Sequence, residues 1–149
     1  MIAVVLDCNV ILQSMLRRDS VAFACLTEIE KRDVRIQISA EMLAEYRDVL
    51  TREKLRRKFP VLTPTFVDEQ LEQLLARADF WEDVPKHFTL SRDPKDECYL
   101  NLAIESGAKY LASRDLDLLD LMNDAEFVAK HPSLIICEPV QFLTILRSL

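Results

Sequence analysis

Unbroken apolar runs alternate along this chain with stretches in which apolar positions recur every three or four residues. Ile2-Ala3-Val4-Val5-Leu6 is continuous and β-prone, the habit of a strand buried on both faces of a parallel sheet. Asp7 comes directly after it, and residues 10–16 read as a short helix. Ser20 is placed to cap a second helix reaching about Lys31, with Phe23, Cys25, Leu26 and Ile29 on its inner face. Val34, Ile36 and Ile38 alternate with Arg35 and Gln37, which predicts a second strand nearer the sheet edge. Ser39 then caps a helix that carries Leu43, Tyr46, Val49 and Leu50 on one stripe.

Residues 52–58 are basic, and Pro60 and Pro64 punctuate the chain after them, a pattern expected of a projecting helical hairpin. Thr63-Pro64 has the form of an N-cap before the first helical position, with Leu71, Leu74 and Leu75 turned inward as far as Arg77. A third strand is expected over residues 80–84, with Phe80 and Trp81 in the core. Asp93-Pro94 opens the next helix, with Asp93 as its N-cap, and the chain's one glycine, Gly107, closes it. Further strands are expected at residues 109–112 and 134–137, a short helix at 116–122, and a last helix from Pro139 to about Leu146. Strands alternating with helices imply an α/β fold with parallel pairing and right-handed crossovers, in a single domain spanning residues 1–149.

The 149 residues are half apolar and 30% charged, a globular balance that excludes a disordered chain. The longest apolar runs are too short to span a bilayer, and the first one ends at Asp7 without a basic segment before it, so it is read as a core strand and not a signal peptide. Cys8, Cys25, Cys98 and Cys137 form no C-x-x-C pair, which argues against a zinc site or disulfide framework and makes the cytoplasm the expected compartment. One glycine is too few for a phosphate-binding loop or a dinucleotide fingerprint, and no G-x-S-x-G elbow occurs. A net charge of −6 counts against a simple nucleic-acid binder, yet an enzyme that gathers carboxylates around a cation concentrates negative charge by design.

That second possibility has candidates. Asp7 ends the first strand, Asp115 comes after the fourth, Asp96 lies in the first turn of the helix before it, and Glu45 sits on the helix after the second strand. In an open α/β sheet, ligands bind beyond the carboxyl ends of the strands where the strand order reverses; an order 3-2-1-4-5 would make the first and fourth strands neighbours there. Clustered carboxylates repel unless a cation intervenes, and a hard ion such as Mg²⁺ or Mn²⁺ resolves the conflict. The matching chemistry is metal-assisted phosphodiester hydrolysis. Each acid also has a plainer reading. Asp7 and Asp115 are placed to cap the helices after them, Asp96 falls where a capping box closes, and Glu45 has a solvated helix face open to it. Glu97 is expected as a surface acid.

Four segments carry a specific resemblance. Leu6-Asp7-Cys8-Asn9-Val10 resembles the strand-end motif that opens PIN domains, an acid with asparagine two residues later. Leu43-Ala44-Glu45-Tyr46 is similar to their second acidic position, and the acid and apolar helix from Asp96 to Ala103 to the third. Tyr110-Leu111-Ala112-Ser113-Arg114-Asp115 resembles the fourth, and Ile136-Cys137-Glu138-Pro139-Val140-Gln141-Phe142-Leu143 the closing step of one bacterial subfamily of toxins (VapC-like). Two departures stand out: Cys8 sits where the family often has Thr, and Arg114 places a long cation beside the fourth acid.

The resemblance implies a three-layer α/β/α fold around a parallel sheet of about five strands, and a ribonuclease in which Asp7, Glu45, Asp96 and Asp115 hold Mg²⁺ or Mn²⁺. It implies the toxin of a type II toxin–antitoxin pair, commonly a homodimer, silenced by a small antitoxin protein. Asn9, Ser113 and Asp117 are candidates for supporting the ligands. Arg52, Lys54, Arg56, Arg57, Lys58 and Arg114 are candidates for gripping RNA phosphates, against the plain alternative of a solvated helix face. Two other classes remain open: an inactive PIN-like module that binds RNA or protein, and a phosphoacceptor or dehalogenase-like acid site. Asn9 in the second acid slot argues against a dehalogenase-like site.

Overall fold

The computed structural model describes residues 1–90 and 94–149. Five strands form one parallel sheet: β1 (Ile2–Leu6), β2 (Val34–Ser39), β3 (Ala78–Trp81), β4 (Tyr110–Ala112) and β5 (Ile135–Cys137), in the order β3-β2-β1-β4-β5. The strand order and the alternation with helices are those read from the sequence. Val4, Val5 and Leu6 are sealed from solvent, as an apolar run in the middle of a parallel sheet must be.

Helices α1 (Cys8–Leu16) and α2 (Val21–Glu30) make the crossover from β1 to β2. Helix α3 (Ala40–Leu50), a short α4 (Glu53–Lys58) and α5 (Pro64–Ala76) join β2 to β3. Helix α6 (Glu97–Glu105) returns the chain to β4, α7 (Leu116–Leu119) and α8 (Ala125–Lys130) lead to β5, and α9 (Pro139–Arg147) closes the chain. Helix α2 packs on α1 and α9, whereas α6 lies across β1, β2 and β4. The β1-to-β2 and β3-to-β4 crossovers run in opposite directions across the sheet, so right-handed connections put these groups on opposite faces, which gives three layers.

Local chemistry explains the helix boundaries. Ser20, Ser39 and Thr63 accept from the amides of Phe23, Met42 and Phe66 at 3.1, 3.1 and 3.2 Å, as their places before the apolar stripes imply. Gly107 takes the left-handed conformation, with φ at +67°, that ends α6 at little cost.

Several boundaries differ from the sequence expectation. Strand β3 begins at Ala78, two residues before the expected start, because Asp79 accepts from Arg35 at 2.8 Å and from Gln37 at 2.9 Å and so fixes the pairing with β2. Trp81 then donates its indole N–H to Gln37 at 2.9 Å, while Phe80 faces outward, 49% exposed, instead of joining the core. The expected helix at 116–122 divides into α7 and a 3-10 turn, Asp120–Asn123. Helix α8 was not foreseen; six residues are too few to show a period, although Asp124 caps it by accepting from Glu126 and Phe127.

Candidate metal centre

Pairing of Leu6 with Ala112 in adjacent parallel strands sets the next residues, Asp7 and Ser113, side by side at the carboxyl end of the sheet. The Asp7 amide still belongs to the ladder, donating to the Ala112 carbonyl at 3.1 Å. The residue is 5% exposed. One carboxylate oxygen accepts from the Val10 amide at 3.0 Å and so caps α1. The other accepts from the Ser113 hydroxyl, and the Arg114 amide donates to the same group. Burial raises the Asp7 pKa above its ordinary value against these donors, and the nearby charge of Asp115 raises it further.

Ser113, fully buried, also receives the Asp115 amide at 2.9 Å. Asp115 in turn accepts from the Asp117 amide at 2.8 Å, which caps α7. Both Asp7 and Asp115 therefore cap helices and also face one another across the strand end. The two readings do not compete, since an ionised carboxylate offers about four acceptor sites and a cap takes one.

The Cys8 thiol reveals the other members of the cluster. Burial, with the charges of Asp7, Glu45 and Asp96, pushes its pKa up to about 12, opposed by Arg52. The Cys98 thiol is pushed up to about 12 by burial together with Glu41, Glu45 and Asp96. Asp7, Glu45 and Asp96, from the end of β1, α3 and the entry to α6, thus bear on the Cys8 thiol, and Asp115, after β4, bears on Asp7. A fifth, Glu41, had not been singled out. It precedes Glu45 by one helical turn, and that spacing was the available signal.

Asp96 ends a 3-10 turn, Pro94–Asp96, and stands at the N-cap of α6 without a side-chain cap bond. The helix starts at Glu97, later than expected; the expected N-cap, Asp93, lies outside the described residues. Glu97 is not the surface acid it was expected to be. It is half-buried, accepts from the Leu90 amide at 2.9 Å and pairs with Lys86 at 3.4 Å. Asn101, one turn on, accepts from the amides of His87 and Phe88, both at 2.8 Å, and Glu105 meets the His87 ring. One face of α6 thereby straps residues 86–90 to the site's supporting helix.

The other candidates take varied positions around this cluster. Asn9 is exposed, and the groups found holding the Asp7 carboxylate are Ser113 and the two backbone amides. Asp117 reaches Asp115 through its amide. Arg114 is exposed, its backbone on Asp7. In the basic segment, Arg52 is held by Asp48 at 2.9 Å with its charge reaching Cys8, and it is the member placed beside the acids. Arg57 pairs with Glu53 at 2.7 Å, Lys58 lies over the Phe59 ring, and Lys54 and Arg56 are on the same short α4.

These residues fit a divalent cation. A buried Asp7 surrounded by acids is short of positive charge, which an ion would supply. Among the described residues, no three His, Cys, Asp or Glu side chains are already gathered about a single point. An Mg²⁺-like ion binds through one or two carboxylates and keeps several waters, so it does not require such a cage.

Comparison with known proteins agrees with the architecture. A family model described as PIN domain matches residues 3–117. Among solved structures, a chain in the crystal structure of VapBC2 from Rickettsia felis, bound to a DNA fragment from its promoter, superposes with a TM-score of 0.56 at 17% identity, covering 91% of this chain and 97% of that one. At that identity the likeness is one of fold. No curated protein matches the chain significantly. With more than half its length matched by the family model, the chain belongs to the PIN-domain family.

Proposed function

We propose that this protein is a metal-dependent endoribonuclease that hydrolyses RNA phosphodiester bonds. The observation that supports the reading is the buried Asp7 at the carboxyl end of β1, with the charge of Asp115 bearing on it and those of Glu45 and Asp96 bearing on the adjoining Cys8. Those four side chains would hold Mg²⁺ or Mn²⁺, with Glu41 at the margin. A bound ion supplies an activated water and neutralises charge developing on the phosphate. The chain's own residues orient and bind. Ser113 fixes the Asp7 carboxylate and the Asp115 backbone together, and Arg52, whose charge bears on Cys8, would meet substrate phosphate. Lys54, Arg56, Arg57, Lys58 and Arg114 extend that grip. The fold shared with a VapBC2 chain and the closing motif of the sequence support a role as the toxin of a type II pair. The protein would then act in the cytoplasm as a homodimer, restrained by a small antitoxin protein. No helix among the described residues is long and apolar enough to cross a membrane.

The test is cleavage of a single-stranded RNA with Mn²⁺, with EDTA, and by the Asp7→Asn variant. Cleavage restricted to the wild type with Mn²⁺ supports the proposal, whereas cleavage in EDTA ends it. The open spacing of the acids favours one alternative, an inactive PIN-like module that binds RNA or protein. Its signature is RNA retention that survives Asp96→Asn and is lost when Arg52 and Lys54 are replaced.

A further inference from the structure

Tyr46 of α3 meets the central strand where β1 and β2 part. The ladder between these strands runs from Ile2 opposite Val34 to Val4 opposite Ile36 and stops there. Beyond that point β1 stays on β4 as far as Leu6 opposite Ala112, and β2 stays on β3 as far as Ser39 opposite Trp81. Successive peptide groups along a strand face alternate neighbours. Ile2 donates toward β2, to Asp33, whereas Ala3 accepts from Lys109 and Asp7 donates to Ala112, both toward β4. The Leu6 carbonyl therefore points to the side that β2 has left. Leu6 is sealed from solvent, so water does not reach this oxygen, and a buried carbonyl without a donor is costly. The hydroxyl of Tyr46, itself fully buried, supplies the donor.

That bond acts on the acid that follows. The Leu6 carbonyl and the Asp7 amide belong to one rigid peptide plane. Tyr46 holds its oxygen from α3, and Ala112 holds its N–H from β4 at 3.1 Å. A planar group held at both edges does not turn, and this one sets the direction in which Asp7 leaves the strand. The Tyr46 ring also stacks on Tyr99 of α6, with centroids 6.3 Å apart. Tyr46 directly follows Glu45, and Tyr99 follows Asp96 by one helical turn. One buried side chain thus touches all three elements that carry Asp7, Glu45 and Asp96.

We infer that Tyr46 is a positioning residue for the metal ligands. Its hydroxyl fixes the Leu6–Asp7 peptide, and its ring sets α3 and α6 against that peptide, so the three acids are held in place before a cation arrives. Groups that orient metal ligands are typically worth about 10-fold or more in metal affinity. The effect on affinity rests on the metal reading of the site; the hold on the peptide does not.

The experiment pairs metal-free crystal structures of the wild type and Tyr46→Phe with calorimetric Mn²⁺ binding. Phenylalanine keeps the ring on Tyr99 and removes only the hydroxyl. Leu71→Val, in the core face of α5, which carries none of the four acids, controls for lost stability alone. The wild type should show the Tyr46 hydroxyl on the Leu6 carbonyl. In Tyr46→Phe the Leu6–Asp7 peptide should turn and the Asp7 carboxylate shift relative to Glu45, with Mn²⁺ affinity about 10-fold weaker. Leu71→Val should melt at a lower temperature yet bind Mn²⁺ as the wild type does. A wild-type structure without the Tyr46 hydrogen bond overturns the inference. So does a Tyr46→Phe structure with Asp7 and Glu45 unmoved, or Mn²⁺ affinity in that variant no weaker than in Leu71→Val. If the wild type binds no Mn²⁺, the metal reading falls alone, and the two metal-free structures decide the role of Tyr46.

Discussion

Ser113 donates its hydroxyl proton to the Asp7 carboxylate and, with the same oxygen, receives the Asp115 amide. One buried side chain therefore ties the acid at the end of β1 to the loop that carries the acid after β4. Replacing it by alanine leaves an acceptor and a donor without their partner. The expected effect of Ser113→Ala is a loss of about 1–3 kcal/mol in stability by denaturant unfolding. RNA cleavage should fall by about 10-fold, since one tenfold step is about 1.36 kcal/mol at the barrier. Ser113→Thr, which keeps the hydroxyl, should recover most of the activity. An alanine variant with wild-type rates would show that this bridge orients nothing.

Asp7 presents the usual conflict between stability and function. Asn retains the cap on α1 and the contact with Ser113 but removes a buried charge. Asp7→Asn should abolish detectable cleavage, with a loss of about 100-fold or more, while making the metal-free protein more stable by about 0.5–2 kcal/mol near neutral pH. Paired cleavage assays and melting curves in EDTA check both halves; a less stable variant contradicts the account of a strained carboxylate.

The pH dependence has a definite sign. The Asp7 pKa is raised in the folded state above its ordinary 3.8, so the fold favours the protonated acid. The stability this group contributes is present below 3.8 and is lost as pH rises through the folded value. Asp19, Glu28 and Asp79, lowered by their arginine partners, act in the opposite sense, so the quantity to measure is the difference between wild type and Asp7→Asn. In EDTA that difference should grow as pH rises above 3.8, and saturating Mn²⁺ should reverse it. A flat difference would remove Asp7 as the source.

Arg52 is the basic residue whose charge bears on Cys8, the thiol beside Asp7. Arg52→Ala should raise KM for RNA several-fold with a smaller change in kcat, and reduce the salt dependence of binding by about one unit of slope. Replacing Arg57, which is engaged by Glu53 on an exposed helix, should do less. Equal effects of the two would mean that the segment acts as diffuse charge and not through a placed guanidinium.

Much of the architecture was legible in the residue order, and the reasons are physical. The buried run before Asp7 announced the central strand, and the alternation of strands with helices dictated parallel pairing. Ser20, Ser39 and Thr63 declared their helices by cap chemistry that depends only on near neighbours. What escaped depended on partners distant in sequence. The register of β3 is set by Asp79 meeting Arg35 and Gln37, more than forty positions away, which no local pattern reveals. Glu97 looked like a solvated acid because its partner, the Leu90 amide, lies on a segment without periodicity. The acids themselves were named as candidates, yet Glu41 was passed over: an exposed glutamate in a first helical turn is ordinary, and only the thiol of Cys98 marks it as a neighbour of the others.

The pairing of Leu6 with Ala112 carries a consequence for how the protein is made. Asp7 leaves the ribosome about a hundred residues before the strand that brings Ser113 and Asp115 to it. Parallel pairing across such a separation is closed late, after the loop entropy has been overcome. A nascent or truncated chain ending before β4 therefore carries Asp7 without Ser113 and Asp115, and the buried setting of its carboxylate is built only once β4 has emerged and paired with β1.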